Sequence, residues 1–161
     1  MAQISPCEAG GRNVVAFLDM IAHSEGTDNG RQTTMLQGYD VIVGGGLLTD
    51  YRNHPRKLVP LPRYKISSTA AGRYQFIQRT WDGVAAKLGL KDFSPRSQDL
   101  AAIELIRQRG GLQHVIAGRF DEAVKACRQE WASLPGAGYG QFEQSLASLR
   151  RKYTDAGGQL A

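Results

Sequence analysis

The chain has 161 residues, 42% of them hydrophobic and 8% aromatic, with a net charge of +5 and a pI near 9.4. That length suits one globular domain, residues 1–161, with a core of its own, and no apolar run approaches the roughly 18 residues of a membrane span. The positive balance favours anionic partners such as nucleic acid, anionic lipid or cell-wall polymer. The cations are scattered, however, and the densest cluster, Arg52 to Lys65, is broken by Pro55, Pro60 and Pro62. It makes no nucleic-acid-binding stripe.

Residues 1–11 are expected to be loosely ordered, because Pro6, Gly10 and Gly11 leave no periodicity. The segment shows no basic stretch followed by an apolar core, so no secretory signal is expected and synthesis would be cytoplasmic. A helix is predicted from about Arg12 to Glu25. Its apolar stripe runs Val14, Leu18, Ile21, and the next position on that stripe is Glu25. Gly26 follows, the usual residue for a left-handed helix end. A carboxylate therefore continues a face that otherwise reads as core. A helix-end glutamate is more commonly a solvated surface residue. If Glu25 points inward, partial burial and the helix dipole both disfavour its charged form. A raised pKa suits a general acid near neutral pH.

After a loop over residues 26–30 the period changes. Tyr39 to Val43 is short, β-branched and apolar and reads as a strand. Gly44, Gly45 and Gly46 can turn it back onto Leu47 to Tyr51 as a hairpin. A long proline-containing loop follows, and Tyr64 to Ser68 is a candidate third strand. The second half is helical: Thr80 to Leu88, then a helix capped by Ser94 with Pro95 in its first turn and ending near Gly110. Leu112 to Ala117 is a short helix. Asp121 to Ala132 follows, with Phe120, Val124, Cys127 and Trp131 on one face. The last helix spans Phe142 to Tyr153, with Phe142, Leu146, Leu149 and Tyr153 as its stripe. The fold class is α+β: a small antiparallel sheet lobe and a larger helical lobe flanking a cleft. Cys7 and Cys127 match no zinc or redox spacing. His23, His54 and His114 have no ligand spacing either, so no metal or cofactor is expected.

Ser68 to Phe76 offers a second constellation. Gly72 allows close backbone approach, Tyr74 offers an aromatic face and a hydroxyl, and Gln75 a donor and an acceptor. Sugars, with apolar ring faces and hydroxyl rims, need that combination. Phe76 reads as core. For two-carboxylate glycosidase chemistry a partner for Glu25 is needed. Asp19, six residues back, lies roughly 9 Å along the helix axis and on another face. Asp28 is the nearest credible partner, while Asp40 and Asp50 lie in the strand region. None can be placed opposite Glu25 from sequence.

Ser24-Glu25-Gly26-Thr27 together with Gly72-Arg73-Tyr74-Gln75-Phe76 resembles the lysozyme-like superfamily of phage endolysins. Asp28 to Gln32, Gly38 to Gly45, His54 to Val59, Leu88 to Pro95 and Trp131 to Phe142 narrow the resemblance to the lambda-type endolysins, over about Phe17 to Gly158. Ala70 departs from it, standing where the family commonly shows Gly. The resemblance implies a lysozyme-like fold and a murein lytic transglycosylase. Such an enzyme cleaves the β-1,4 bond from N-acetylmuramic acid to N-acetylglucosamine and leaves a 1,6-anhydromuramic end, causing host lysis. It implies Glu25 as the catalytic residue. It places sugar contacts at Tyr74, Gln75 and Tyr139, with Ser68 and Asp28 as further candidates. It also implies two cleft-bordering loops, the proline-containing segment after Tyr51 and the segment Pro135 to Gln141. The expected partner is the peptidoglycan glycan strand, bound by a monomer with no nucleic acid and no stable membrane insertion. The enzyme would act in the periplasm, after release by a separate holin-type membrane-permeabilising protein. Two alternatives remain open: a hydrolytic muramidase using Asp28 or a strand-region Asp as base, and a non-catalytic peptidoglycan-binding module.

Overall fold

The computed structural model describes residues 1–161. The elements in chain order are α1 (Pro6–Ala9), α2 (Arg12–Ser24), β1 (Val41–Ile42), β2 (Gly46–Leu47), β3 (Val59–Leu61), a 3-10 turn (Pro62–Tyr64), β4 (Ile66–Ser68), α3 (Gln78–Leu88), α4 (Pro95–Gln108), α5 (Leu112–Ile116), α6 (Phe120–Cys127) and α7 (Leu146–Asp155). This is an α+β arrangement, with two small antiparallel hairpins set between helices.

Helix α2 is the centre of the helical lobe. Val14, Val15, Ala16, Phe17, Leu18, Met20, Ile21 and Ala22 are all buried, more than one stripe, because α1, α4, α5 and α7 all pack against it. A helix enclosed on most sides is apolar on most sides. Each large side chain buried there contributes roughly 1.5–3 kcal/mol. Phe17, Phe120 and Tyr153 meet at ring-centroid distances of 5.0 to 6.4 Å and tie α2 to α6 and α7.

The N-terminal segment is not loosely ordered. Ser5 caps α1 by accepting from the Glu8 N–H, Pro6 occupies the first turn, and Gly10 ends the helix at φ 94°. The residues that seemed to interrupt order are the punctuation of a helix too short to show a period. Ile4 is buried, and the Gln3 and Ile4 N–H groups donate to Asp99 Oδ2 at 3.0 and 2.9 Å.

The expected single sheet is two separate hairpins. In the first, Val41 faces Leu47 and Ile42 faces Gly46. The second pairs β3 with β4, Val59 facing Ser68 and Leu61 facing Ile66. It lies inside the segment that reads as a proline loop. Pro60 is tolerated because a two-stranded ribbon leaves each strand an open edge. Single antiparallel bridges join Ile42 to Ala71 and Ala71 to Phe76, so residues 71–76 are stitched to the first hairpin.

Two helices are shorter than predicted. Helix α6 stops at Cys127, and residues 128–135 continue as turns that still bury Trp131 and Leu134. Helix α7 begins at Leu146, capped by Ser145, which accepts from the Ser148 N–H. Phe142 therefore lies outside the helix and is exposed. Both departures lengthen the segment 128–145 at the mouth of the site. Cys7 is exposed and Cys127 buried, and both are free.

Candidate active site

Glu25 closes α2. Its N–H still donates to the Ile21 carbonyl at 2.8 Å, and Gly26 then takes the left-handed conformation at φ 77°. The carboxyl therefore sits at the helix end, enclosed by its surroundings although the residue as a whole is partly accessible. There it meets Ser133, whose hydroxyl donates to Glu25 Oε1 at 2.5 Å. The Ser133 backbone N–H also favours the charged form of this carboxylate. Behind it the buried Ser24 hydroxyl donates to Ser133 Oγ at 2.7 Å. Burial pushes the Glu25 carboxyl from its ordinary 4.5 up to about 7, and the Ser133 bonds pull it only part of the way back. The raised value has one source, desolvation, opposed by the hydroxyl and backbone N–H of Ser133.

The loop that follows Glu25 is anchored through Arg73, which is fully buried. Its guanidinium pairs with Asp19 at 2.7 Å and Asp28 at 2.6 Å and lies over the Tyr39 ring at 5.2 Å. Thr27, also buried, donates to the Arg73 carbonyl at 2.6 Å. Buried ion pairs are weak sources of net stability. Their consequence here is geometric, since they pin residues 26–28 against residues 71–76. Asp28, expected as a possible second carboxylate or sugar contact, is thus engaged by Arg73. The other aspartates are engaged as well. Asp40 accepts from Thr34 Oγ1 at 2.5 Å and from the Met35 N–H at 2.7 Å, and Asp50 is bonded by Arg52. None of these carboxylates is hydrogen-bonded to Glu25 or to Ser133.

Of the predicted sugar contacts, the structure brings Tyr74, Gln75 and Tyr139 together. All three line a cavity of about 330 Å³ between residues 74–80 and 129–141, with Ile77, Thr80, Arg109 and Trp131; Ala132, beside Ser133, also lines it, whereas Glu25 itself does not. Gln75 holds φ 49°, and its amide donates to the Gly72 carbonyl at 2.9 Å. Tyr139 is exposed, and its hydroxyl donates to the Gln129 carbonyl at 2.8 Å. The Tyr74 ring is held in the core at the edge of this cavity. It is fully buried, its hydroxyl donates to Asp99 Oδ1 at 2.5 Å, and its ring packs edge-on against Phe76 and Tyr39. Ser68 sits on β4, outside that cavity, with its hydroxyl accepting from the Ala70 N–H at 3.1 Å.

Both expected cleft-bordering segments are braced. Glu143 accepts from the Gly136 and Gly138 N–H groups at 2.8 and 2.9 Å, which fixes the turn after Pro135 and holds its own carboxyl below the usual range. On the opposite segment His54 is buried. Its Nε2 bonds the Phe76 carbonyl at 2.8 Å, and its Nδ1 accepts from the Arg56 N–H at 3.1 Å. No group of three or more His, Cys, Asp or Glu side chains converges to hold a metal ion.

Ser24, Ser133 and Arg73 were not singled out by sequence. All three lie inside the quoted motif segments, but nothing local marks them. Ser133 is 108 residues from the carboxylate it bonds.

Comparison with known proteins bears on this geometry directly. The family model described as Endolysin matches residues 15–160. The chain is 59% identical over 145 residues to the endolysin of Escherichia phage lambda, covering 90% of this chain and 91% of that protein. It is 49% identical over 156 residues to the endolysin of Escherichia phage P2, covering 91% and 94%. It superposes on the bacteriophage lambda lysozyme complexed with a chitohexasaccharide with a TM-score of 0.90 and 53% identity, covering all of both chains. A second solved structure, lysozyme from bacteriophage lambda, gives a TM-score of 0.86 and 52% identity, again covering all of both chains. A buried carboxyl at the end of the central helix, the segment that brings Ser133 to it and these relatives agree, and the chain belongs to the endolysin family, as a lambda-type, peptidoglycan-degrading enzyme with a lysozyme-like fold.

Proposed function

We propose that this endolysin is a murein lytic transglycosylase in which Glu25 is the single catalytic carboxyl. The observation that carries this reading is the isolation of Glu25. Its carboxyl is raised to about 7 and is hydrogen-bonded by serine alone, while Asp19, Asp28, Asp40 and Asp50 are committed elsewhere. A carboxyl poised near neutral pH donates a proton to the glycosidic oxygen between N-acetylmuramic acid and N-acetylglucosamine. The resulting carboxylate takes the proton from the C6 hydroxyl of the same muramic residue, whose oxygen closes onto C1. The products are a 1,6-anhydromuramic end and a free N-acetylglucosamine 4-hydroxyl. Because the attacking hydroxyl is intramolecular, proximity replaces a base-activated water. No second carboxylate is required, unlike the two-carboxylate hydrolysis of glycosides.

The glycan strand of peptidoglycan is the partner, met along the cavity that Gln75 and Tyr139 line. The sugar hexamer bound by the lambda relative supports this class of ligand. The protein acts as a monomer. No helix is long and apolar enough to cross a membrane, and access to the wall depends on a separate holin-type protein.

The test is Glu25→Gln. The variant is expected to bind insoluble murein as the wild type does and to release no soluble fragments above background. Full release by Glu25→Gln would overturn the assignment of Glu25. Binding without release by the wild-type protein would favour a non-catalytic binding module instead.

A further inference from the structure

Ser24 presents an unusual hydrogen-bonding choice. A serine in the last turn of a helix commonly bonds back to the carbonyl four residues earlier. The Ser24 hydroxyl, buried at 5% exposure, instead makes its hydrogen bond across the fold to Ser133 Oγ. A hydroxyl has one proton. That of Ser24 goes to Ser133, and that of Ser133 goes to Glu25 Oε1. The three side chains form a directed chain, Ser24 to Ser133 to Glu25, in which each donor has one acceptor.

We propose that Ser24 is a positioning residue, which holds the Ser133 hydroxyl as a donor to Glu25 and so sets both the proton affinity of that carboxyl and the oxygen that carries its proton. With Ser24 donating to Ser133 Oγ, the Ser133 proton is directed away from Ser24 and onto Oε1. Chains of hydrogen bonds strengthen one another, so the Ser24 bond makes Ser133 a better donor. Oε1 is then occupied by an incoming donor, and in the acid form the carboxyl proton resides on Oε2, free to face a substrate. The mechanistic part of this proposal rests on Glu25 being the acid, whereas the hydrogen-bond relay itself does not.

The surrounding charges do not supply an alternative control. At this end of α2, Asp19 and Asp28 are paired with Arg73. His23 faces Arg31, Lys152 and Asp28, and Glu130 in the neighbouring segment is paired with Arg109. The shift at Glu25 traces to burial and Ser133 only.

The experiment is a carbon-13 NMR titration of the Glu25 carboxyl in glutamate-labelled protein, assigned by its absence in Glu25→Gln. Ser24→Ala is expected to titrate about 0.5 pH unit above wild type, and Ser133→Ala about 1 unit above, as a weakened and a lost charge-assisted bond respectively. In the Ser133→Ala background, Ser24→Ala should add nothing. Ser24→Thr, which keeps the hydroxyl, should titrate with wild type, and Ser24→Val, which matches threonine in shape without the hydroxyl, with Ser24→Ala. This matched pair separates the hydroxyl from packing should the alanine variant fold poorly. Superimposable titrations of Ser24→Ala and wild type would overturn the proposal, as would an equal shift by Ser24→Ala with and without Ser133. The alkaline limb of the murein-release pH profile should move upward with the carboxyl. A carboxyl that moves while the limb stays fixed would support the relay and overturn the assignment of Glu25 as the acid.

Discussion

A carboxyl whose affinity for protons rises on folding makes folding stability depend on pH. In the unfolded chain Glu25 titrates at its ordinary 4.5, in the folded protein at about 7. Between those values the native state binds more protons than the unfolded one, so stability falls as pH rises through that window. The difference of about 2.5 pH units, at about 1.4 kcal/mol each, gives about 3 kcal/mol lost by pH 8. Partial exposure of the residue makes this an upper figure. Glu25→Gln cannot ionise, and its amide oxygen still accepts from Ser133. The variant should match the wild type in stability at pH 4 and exceed it by 2 to 3 kcal/mol at pH 8, roughly 5–10 °C in Tm for a chain of this size. Urea unfolding at the two pH values measures the difference. His23, His54 and Asp99 titrate in both proteins and cancel in the comparison. A stability difference that does not grow with pH would refute the raised proton affinity, and with it the reasoning that Glu25 stores its proton near neutrality.

Two further outcomes follow from packing. Gly72 holds φ 79°, and a Cβ there would lie 2.3 Å from Gln98 Oε1 and 2.9 Å from Phe93 Cζ. Gln98 cannot yield, because its amide donates to the Tyr39 and Phe93 carbonyls and its oxygen accepts from the Arg73 N–H. Left-handed strain of ~1–2 kcal/mol and overpacking of ~1–3 kcal/mol predict a loss of about 3 kcal/mol for Gly72→Ala. A loss below ~1 kcal/mol in urea unfolding would contradict the close approach. Tyr74→Phe removes the hydroxyl bond to Asp99 and should cost about 2 kcal/mol of stability while leaving KM for murein unchanged, since the ring is buried. A raised KM at unchanged stability would return Tyr74 to the sugar site.

What was legible in the sequence had a period or a local signature. Ser94 and Pro95 announce α4 because they open a helix of fourteen residues, long enough to show its period. Ser5 and Pro6 carry the same signature and announce α1, but four residues show no period, and the segment reads as loose. Pro60 hid β3 for a related reason, since a proline argues against a strand unless the strand has an open edge. Glu25 stood out because it continues an apolar stripe and precedes Gly26. Its partner did not, because Ser133 reaches it only after the chain has closed on itself. Tyr74 shows the converse: an aromatic ring with a hydroxyl suits a sugar or a buried carboxylate equally well, and Asp99 decides the matter from 25 residues away. Asp28 is similar, near Glu25 in sequence but committed to Arg73 by the fold.

The mass of the products released from purified murein tests the single-carboxyl mechanism most directly. Ring closure by the C6 hydroxyl adds no water, so each new muramic end should be lighter than a reducing end by the mass of one water molecule. Anhydromuramic ends as the main product are expected. Reducing muramic ends as the main product would contradict the mechanism and point to a hydrolytic muramidase with a water-activating base.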